Sequence, residues 1–200
     1  MKSDVFSKEL SYIKNTEYLD NAIKIIEMLP DYFFEIPASS TGKYHPAFSL
    51  GSGGLVRHTK VAVRIAHELL ENESVGYNFT DNEKDLIIIA LLIHDGMKMG
   101  KEKTTYTAFD HPLFISNMLE EIKQELTFTD DELRLLFAMI ESHMGQWNTS
   151  EYSDEVLPKP NNKCERFVHM CDYLSSKRYL DVKFDSLGNI DDYSDNIKVK

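Results

Sequence analysis

Six residues of two chemically useful kinds, His58, His94, Asp95, His111, His143 and Asp172, stand where one metal site could gather them. Each lies on or beside the apolar stripe of its own helical segment, and because His94 and Asp95 share a segment, the six occupy five helix faces. A neutral histidine in such a place is ordinary core once it has a hydrogen bond. An aspartate is different. A carboxylate buried without a partner costs several kcal/mol, and Asp95 follows directly on the apolar run Leu86 to Ile93. Metal coordination supplies the partner, and neutral imidazoles complete the shell. One shared site explains the pattern better than separate accidents on successive helices.

The elements that must position these residues are helical almost throughout, because the apolar spacing follows the helical period and alternating runs are scarce. A first helix is expected over 16–29, stopped by Pro30, followed by a loop through Pro37, Ser39, Gly42, Pro46 and Gly51-Ser52-Gly53-Gly54. A second, over 54–72, carries His58, Ala62, Ile65, Ala66 and Leu69 on one face. A third opens with the capping box Thr80/Glu83, is apolar all round over 86–93 and should be the buried central helix, ending at His94-Asp95-Gly96. A fourth opens at Asp110 with Pro112 in its first turn and a stripe of His111, Ile115, Met118, Leu119, Ile122 and Leu126. A fifth starts at the capping box Thr129/Glu132 and carries Leu133, Leu136, Phe137, Ile140 and His143. A sixth, after the Pro158-Lys159-Pro160 break, is expected over 162–180 and carries Asp172. The fold class is all-α, a single helical bundle domain. Residues 1–44 form an N-terminal helix and loop packing on a core over 45–180, and 181–200, with Asp181, Asp185, Asp191, Asp192 and Asp195, form an irregular acidic tail at the periphery.

The order His…His-Asp…Asp, here His58, His94-Asp95 and Asp172, resembles the signature of the HD-domain metal-dependent phosphohydrolases. The surroundings match as well: Gly-Gly-Leu-Val-Arg-His-Thr at 53–59, Leu-Ile-His-Asp-Gly-Met-Lys at 92–98 and Cys-Asp-Tyr-Leu-Ser-Ser at 171–176. The resemblance covers about 45–180 and rests on order and spacing, since His-Asp alone is a weak signal. Many members hold a second metal through extra histidines between the His-Asp pair and the last Asp. His111, in Asp-His-Pro, and His143, in Glu-Ser-His-Met-Gly, resemble these and point to a dinuclear-type member. The cyclic-dinucleotide phosphodiesterase branch has a His-His pair at the latter place and a Gly-Tyr-Pro after it. This chain has Ser142 before His143 and Met144-Gly145-Gln146-Trp147 after it, which departs from that branch. The layout looks closer to HD domains attached to a bacterial 3′→5′ exoribonuclease, without an evident nucleic-acid-binding module.

The resemblance implies the chemistry. Asp95 would be the bridging carboxylate, with His58, His94 and Asp172 on one ion and His111 and His143 on the other. A metal-bound hydroxide would attack phosphorus in line. The histidine-rich shell favours one or two manganese, iron, cobalt, nickel or zinc ions per chain over magnesium, which prefers oxygen. Lys98, in His-Asp-x-x-Lys, would contact the substrate phosphate; the alternative is an exposed loop lysine, with Lys101 and Lys103 extending a small basic cluster. The run 51–54 could offer backbone N–H groups to an anion, or be a flexible helix entry. Trp147, the only tryptophan, could stack on a base or simply pack. His45, His67 and His169 stay outside the set: His45 sits in a loop, His67 lies beyond the expected pocket, and His169 falls three residues before Asp172.

Composition narrows the rest. A chain of 200 residues with 42% hydrophobic and 11% aromatic content is ordinary for one globular domain. No apolar run approaches the length of a membrane span, the charged residues Lys2, Asp4, Lys8 and Glu9 exclude a signal peptide, and a cytoplasmic protein is expected. The net charge of −11 disfavours broad nucleic-acid binding but permits a local pocket for a small phosphorylated substrate. Cys164 and Cys171, two helical turns apart, are expected as buried free thiols. The expected function is a phosphohydrolase or phosphodiesterase acting on a phosphate ester of a nucleotide or short oligonucleotide. The alternative is a catalytically silent HD domain that binds a nucleotide as a sensor or regulator.

Overall fold

Both capping boxes start helices as their spacing requires. Thr80 Oγ1 accepts the N–H of Glu83, and the Glu83 carboxylate accepts the N–H of Thr80; Thr129 and Glu132 repeat the exchange. A computed structural model describes residues 1–43 and 45–192. Its helices are α1 (Ser7–Leu10), α2 (Thr16–Met28), α3 (Gly54–Glu71), α4 (Glu73–Gly76), α5 (Asp81–Ile93), α6 (His111–Ile122), α7 (Asp130–Glu141) and α8 (Lys163–Ser175). Among the described residues there is no sheet, only two isolated bridges, and no helix is long and apolar enough to cross a membrane.

The apolar run 86–93 is buried on every side, so α5 is the central helix and packs against α2, α3, α7 and α8. The closest pairing is α3 with α8, which brings His58 opposite Asp172, and α6 packs on α7. One core cluster extends from Phe6, Leu10 and Ile13 at the N-terminal side through α5 to Val168 and Cys171 on α8. Cys164 and Cys171 are buried free thiols, as expected, and burial pushes the Cys164 thiol up to about 12.

Three element ends differ from the sequence expectation. The 16–29 helix is preceded by a short 3-10 turn, Lys2–Phe6, and by α1, pieces too short to show a period. α6 stops at Ile122, so Leu126 belongs to the following turn, and α7 stops at Glu141, which leaves His143 in the turn beyond it. The 162–180 helix ends at Ser175: Ser175 Oγ donates to the carbonyl of Asp172 at 2.7 Å, a local bond that competes with helix continuation.

The loop before α3 is pinned rather than open. The N–H groups of Gly53 and Leu55 donate to the carbonyls of Glu35 and Ile36, both at 2.9 Å, and Gly54 N–H donates to Gly51 at 3.1 Å. These amides are consumed, so the anion cradle suggested for 51–54 is not formed by them. Gly54 is required for another reason: a Cβ there would lie 2.2 Å from the carbonyl oxygen of Ser49.

The described part of the tail, 181–192, is exposed or half-buried, yet it is tied to α3. Lys60, on α3, is wholly buried, and its Nζ donates to Gly188 O at 2.7 Å and to Asn189 Oδ1 at 3.2 Å. A bridge between Phe184 and Ile190 folds this segment back on itself, and the Phe184 ring meets that of Phe48, 5.9 Å between centroids. Residues 193–200, Asp195 among them, lie outside the described residues.

Candidate metal centre

Five helices deliver the six residues to one point. His58 comes from α3, and His94 and Asp95 follow the C-terminal end of α5. His111 opens α6, His143 follows α7, and Asp172 lies on α8. All four histidines and Asp95 are at most 2% exposed. Their ligand atoms form three overlapping groups, His58/His94/Asp95, His94/His143/Asp172 and Asp95/His111/His143, each with its atoms within 4.8 Å of one another.

Hydrogen bonds fix which nitrogen of each ring faces the cluster. Nδ1 of His94, His111 and His143 lies 2.8, 2.7 and 2.7 Å from the carbonyl oxygens of Leu91, Ala108 and Ile140. A carbonyl only accepts, so each Nδ1 carries a proton, and the neutral form of each ring turns an Nε2 lone pair inward. His58 obeys the same logic: Ser175 Oγ gives its proton to Asp172 O and accepts from His58 Nδ1 at 3.1 Å.

The inward-facing atoms are all electron-rich. His58 Nε2 is 2.9 Å and His94 Nε2 3.4 Å from Asp172 Oδ1. His111 Nε2 is 2.9 Å from Asp95 Oδ1, and the Nε2 atoms of His111 and His143 face each other at 3.3 Å. Despite this crowding, His94 Nε2 and Asp95 Oδ1 are buried without a hydrogen-bond partner among the described residues. Such an arrangement is stable only if positive charge sits among these atoms. Nitrogen and carboxylate donors at this spacing fit a divalent transition metal, so the residues present suit the group that the sequence pattern implies.

The electrostatics carry the same sign. Burial opposes the charge on Asp95, but Lys98, His94 and His111 hold its carboxyl well below the usual range. Burial likewise opposes the charge on Asp172, and the adjacent His58 and His94 rings hold its carboxyl low. For His94 burial is outweighed by the two carboxylates, and its pKa is raised. His143, by contrast, is pushed down to about 3 by burial and by the neighbouring rings of His94 and His111, so it stays neutral.

A cleft of about 160 Å³ opens onto the cluster. Lys98 lines it and is not an exposed loop lysine: its side chain is 13% exposed, and its ammonium is paired with Asp95 Oδ2. Lys101 and Lys103 are exposed and do not line the cleft. Trp147 does both: it lines the cleft, 47% exposed, and stacks on Tyr173 with ring centroids 5.6 Å apart. Lys177 Nζ lies over the Tyr173 ring at 3.2 Å.

Two histidines left out on sequence grounds belong to this cleft. His169 donates from Nδ1 to the carbonyl of His143 at 2.7 Å and so holds the turn that presents the His143 ring. Gly145, at φ +61°, lets that turn close, since a Cβ there would lie 2.1 Å from His169 Cε1. The second is His45, whose ring meets that of His58 edge-on at 5.4 Å. The spacing of His169, one turn before Asp172, was a usable signal; a loop residue such as His45 carries no periodicity. His67 lies elsewhere, stacked on Tyr12 at 3.7 Å.

Comparison with known families agrees with this geometry. The family model described as HD domain matches residues 55–177, more than half of the chain. No curated protein and no solved structure matches the chain.

Proposed function

The chain belongs to the HD-domain family, and from that membership we propose that it is a metal-dependent phosphohydrolase acting on a phosphate ester of a nucleotide or short oligonucleotide. One observation carries the reading: four Nε2 atoms and two carboxylates converge under a cleft in which Lys98 is the one lysine or arginine among the described lining residues. His58, His94 and Asp172 would hold one ion and His111 and His143 a second, with Asp95 shared between them. A divalent metal supplies Lewis acidity when bound, acidifying water and offsetting charge that develops on phosphorus.

The protein's own residues do the rest. Ser175 and the carbonyls of Leu91, Ala108 and Ile140 hold the four imidazoles in the Nδ1–H tautomer and orient their Nε2 atoms inward. Lys98 brings a cation to the cleft, where an anionic phosphoryl group would be attracted. The wall formed by Trp147 and Tyr173 offers an aromatic face near this end, which supports a substrate carrying a flat ring such as a nucleobase.

The test has two arms. Protein loaded with manganese and freed of excess metal should carry about two ions per chain, falling to about one in His111→Ala, as expected of a two-metal site. The loaded protein should release phosphate or a nucleotide from some member of a panel of nucleoside mono-, di- and triphosphates, cyclic nucleotides and dinucleotides. Asp95→Ala should abolish that turnover and lower metal affinity. Turnover at the wild-type rate in Asp95→Ala, with metal retained, would refute the proposal.

A further inference from the structure

His45 is an oddity beside the cluster. Its Nδ1 is buried and has no hydrogen-bond partner among the described residues, whereas Nε2 is not among the enclosed, unpartnered atoms. Its ring lines the cleft alongside Lys98, Asp95 and Asp172. A neutral imidazole carries one N–H, and enclosing that N–H without an acceptor is costly, more so than enclosing a lone pair. The proton therefore belongs on Nε2, which is not orphaned in this way. This tautomer is the reverse of that in His58, His94, His111 and His143, which turn lone pairs inward. Four rings are arranged to accept; His45 is arranged to donate.

The neighbours decide what it would donate to. A cleft that draws an anion toward Lys98 would place that anion's oxygens beside a ring already in contact with His58. We propose that His45 is a substrate-contacting residue, donating its Nε2–H to an oxygen of the phosphoryl group that enters the cleft. The proposal rests on the phosphohydrolase reading for the identity of that group, and it assigns His45 to the ligand and not to the metals. The fold supports the placement: Phe48, three residues on, is backed by Phe184, and Ser49 is fixed by its hydroxyl on Pro46 O at 2.9 Å.

The experiment uses the full chain loaded with manganese and inorganic phosphate as the probe. Wild type, His45→Ala and His45→Gln are compared by calorimetry, with metal content measured on each. His45→Ala should bind phosphate about tenfold more weakly, the effect of one hydrogen bond to a charged group. His45→Gln, whose amide nitrogen can take the place of Nε2, should recover most of that loss. Metal content should match wild type in all three. Unchanged phosphate binding in His45→Ala overturns the proposal, as does failure of wild type to bind phosphate. Loss of metal in the variant overturns it too, by making His45 a ligand of the centre. Hydrolysis of the nucleotide panel is scored separately: phosphate binding that depends on His45, without turnover, would sink the enzymatic reading and leave the contact standing.

Discussion

Lys98 shows how one side chain can serve two masters. Its ammonium is the nearest cation to Asp95, and the pair is almost entirely out of water. Removing one partner of a buried pair leaves the other charge uncompensated. Lys98→Ala should therefore destabilise the metal-free protein by about 3 kcal/mol, a penalty that added manganese should largely remove by taking over the neutralisation of Asp95. In the loaded protein the same variant should lose on the order of 10² in kcat/KM, as expected for one well-placed electrostatic group. Denaturant titration with and without chelator reads the first effect, and steady-state kinetics beside Lys101→Ala and Lys103→Ala reads the second. Equal, small losses in all three lysine variants would reduce Lys98 to diffuse attraction. The residue level was also where the sequence spoke most clearly: a carboxylate at 95 after an apolar run demands a partner, and all six expected metal-facing residues do converge. What stayed hidden were contacts set by irregular backbone. The Lys98 pairing depends on the turn at 96–100, and His45 depends on a loop whose course no periodicity encodes.

At the level of elements, local rules succeeded where a side chain signals its own hydrogen bond. Thr80 and Thr129 are such signals, and the Glu132 carboxylate also accepts from the Tyr18 hydroxyl, joining α7 to α2. Thr129→Ala should cost about 1 kcal/mol in chemical denaturation and leave metal content untouched. Helix ends were less legible, because they answer to tertiary partners: Ser175 ends α8 while also bonding His58, and that role cannot be read from α8 alone. The turn after α7 offers a sharper test. Gly145→Ala puts a methyl group into the His169 ring and a side chain at positive φ, so it should destabilise by about 2–3 kcal/mol. It should also lower metal content or turnover, since His169 holds the carbonyl of His143. Wild-type stability with full metal content would show that this turn has slack that its close packing belies.

Across the molecule, acidity separates two opposing expectations. With a net charge of −11, relief of self-repulsion predicts that the protein gains stability as pH falls toward its isoelectric point. The buried cluster predicts the reverse. His143 and His45, the latter through burial first, are pushed down to about 3 and about 4. Groups with depressed pKa contribute stability that is complete above the unfolded value near 6.5 and is lost as pH falls toward the folded one. Asp95 and Asp172 add a further loss below about pH 4, the unfolded carboxylate value. His94, raised, has the opposite sign: its contribution is complete below about 6.5 and fades as pH rises through its folded value, which offsets the others only in part. Metal-free protein should thus unfold at lower denaturant concentration at pH 5 than at pH 7. Equal or greater resistance at pH 5 would mean that surface repulsion outweighs the cluster.

The capping of Lys60 by Gly188 bears on how the chain comes into being. The ammonium and the carbonyl that satisfies it are separated by 128 residues, and His58, two positions earlier, waits 114 residues for Asp172. At a synthesis rate of about 5–20 residues per second, the first gap alone lasts roughly 6–26 s. For that interval the nascent chain displays a helix that cannot bury its lysine and a histidine whose carboxylate has not been made. Assembly of the centre is therefore a late event in the making of the chain, and a metal ion arriving early meets only an incomplete set of donors.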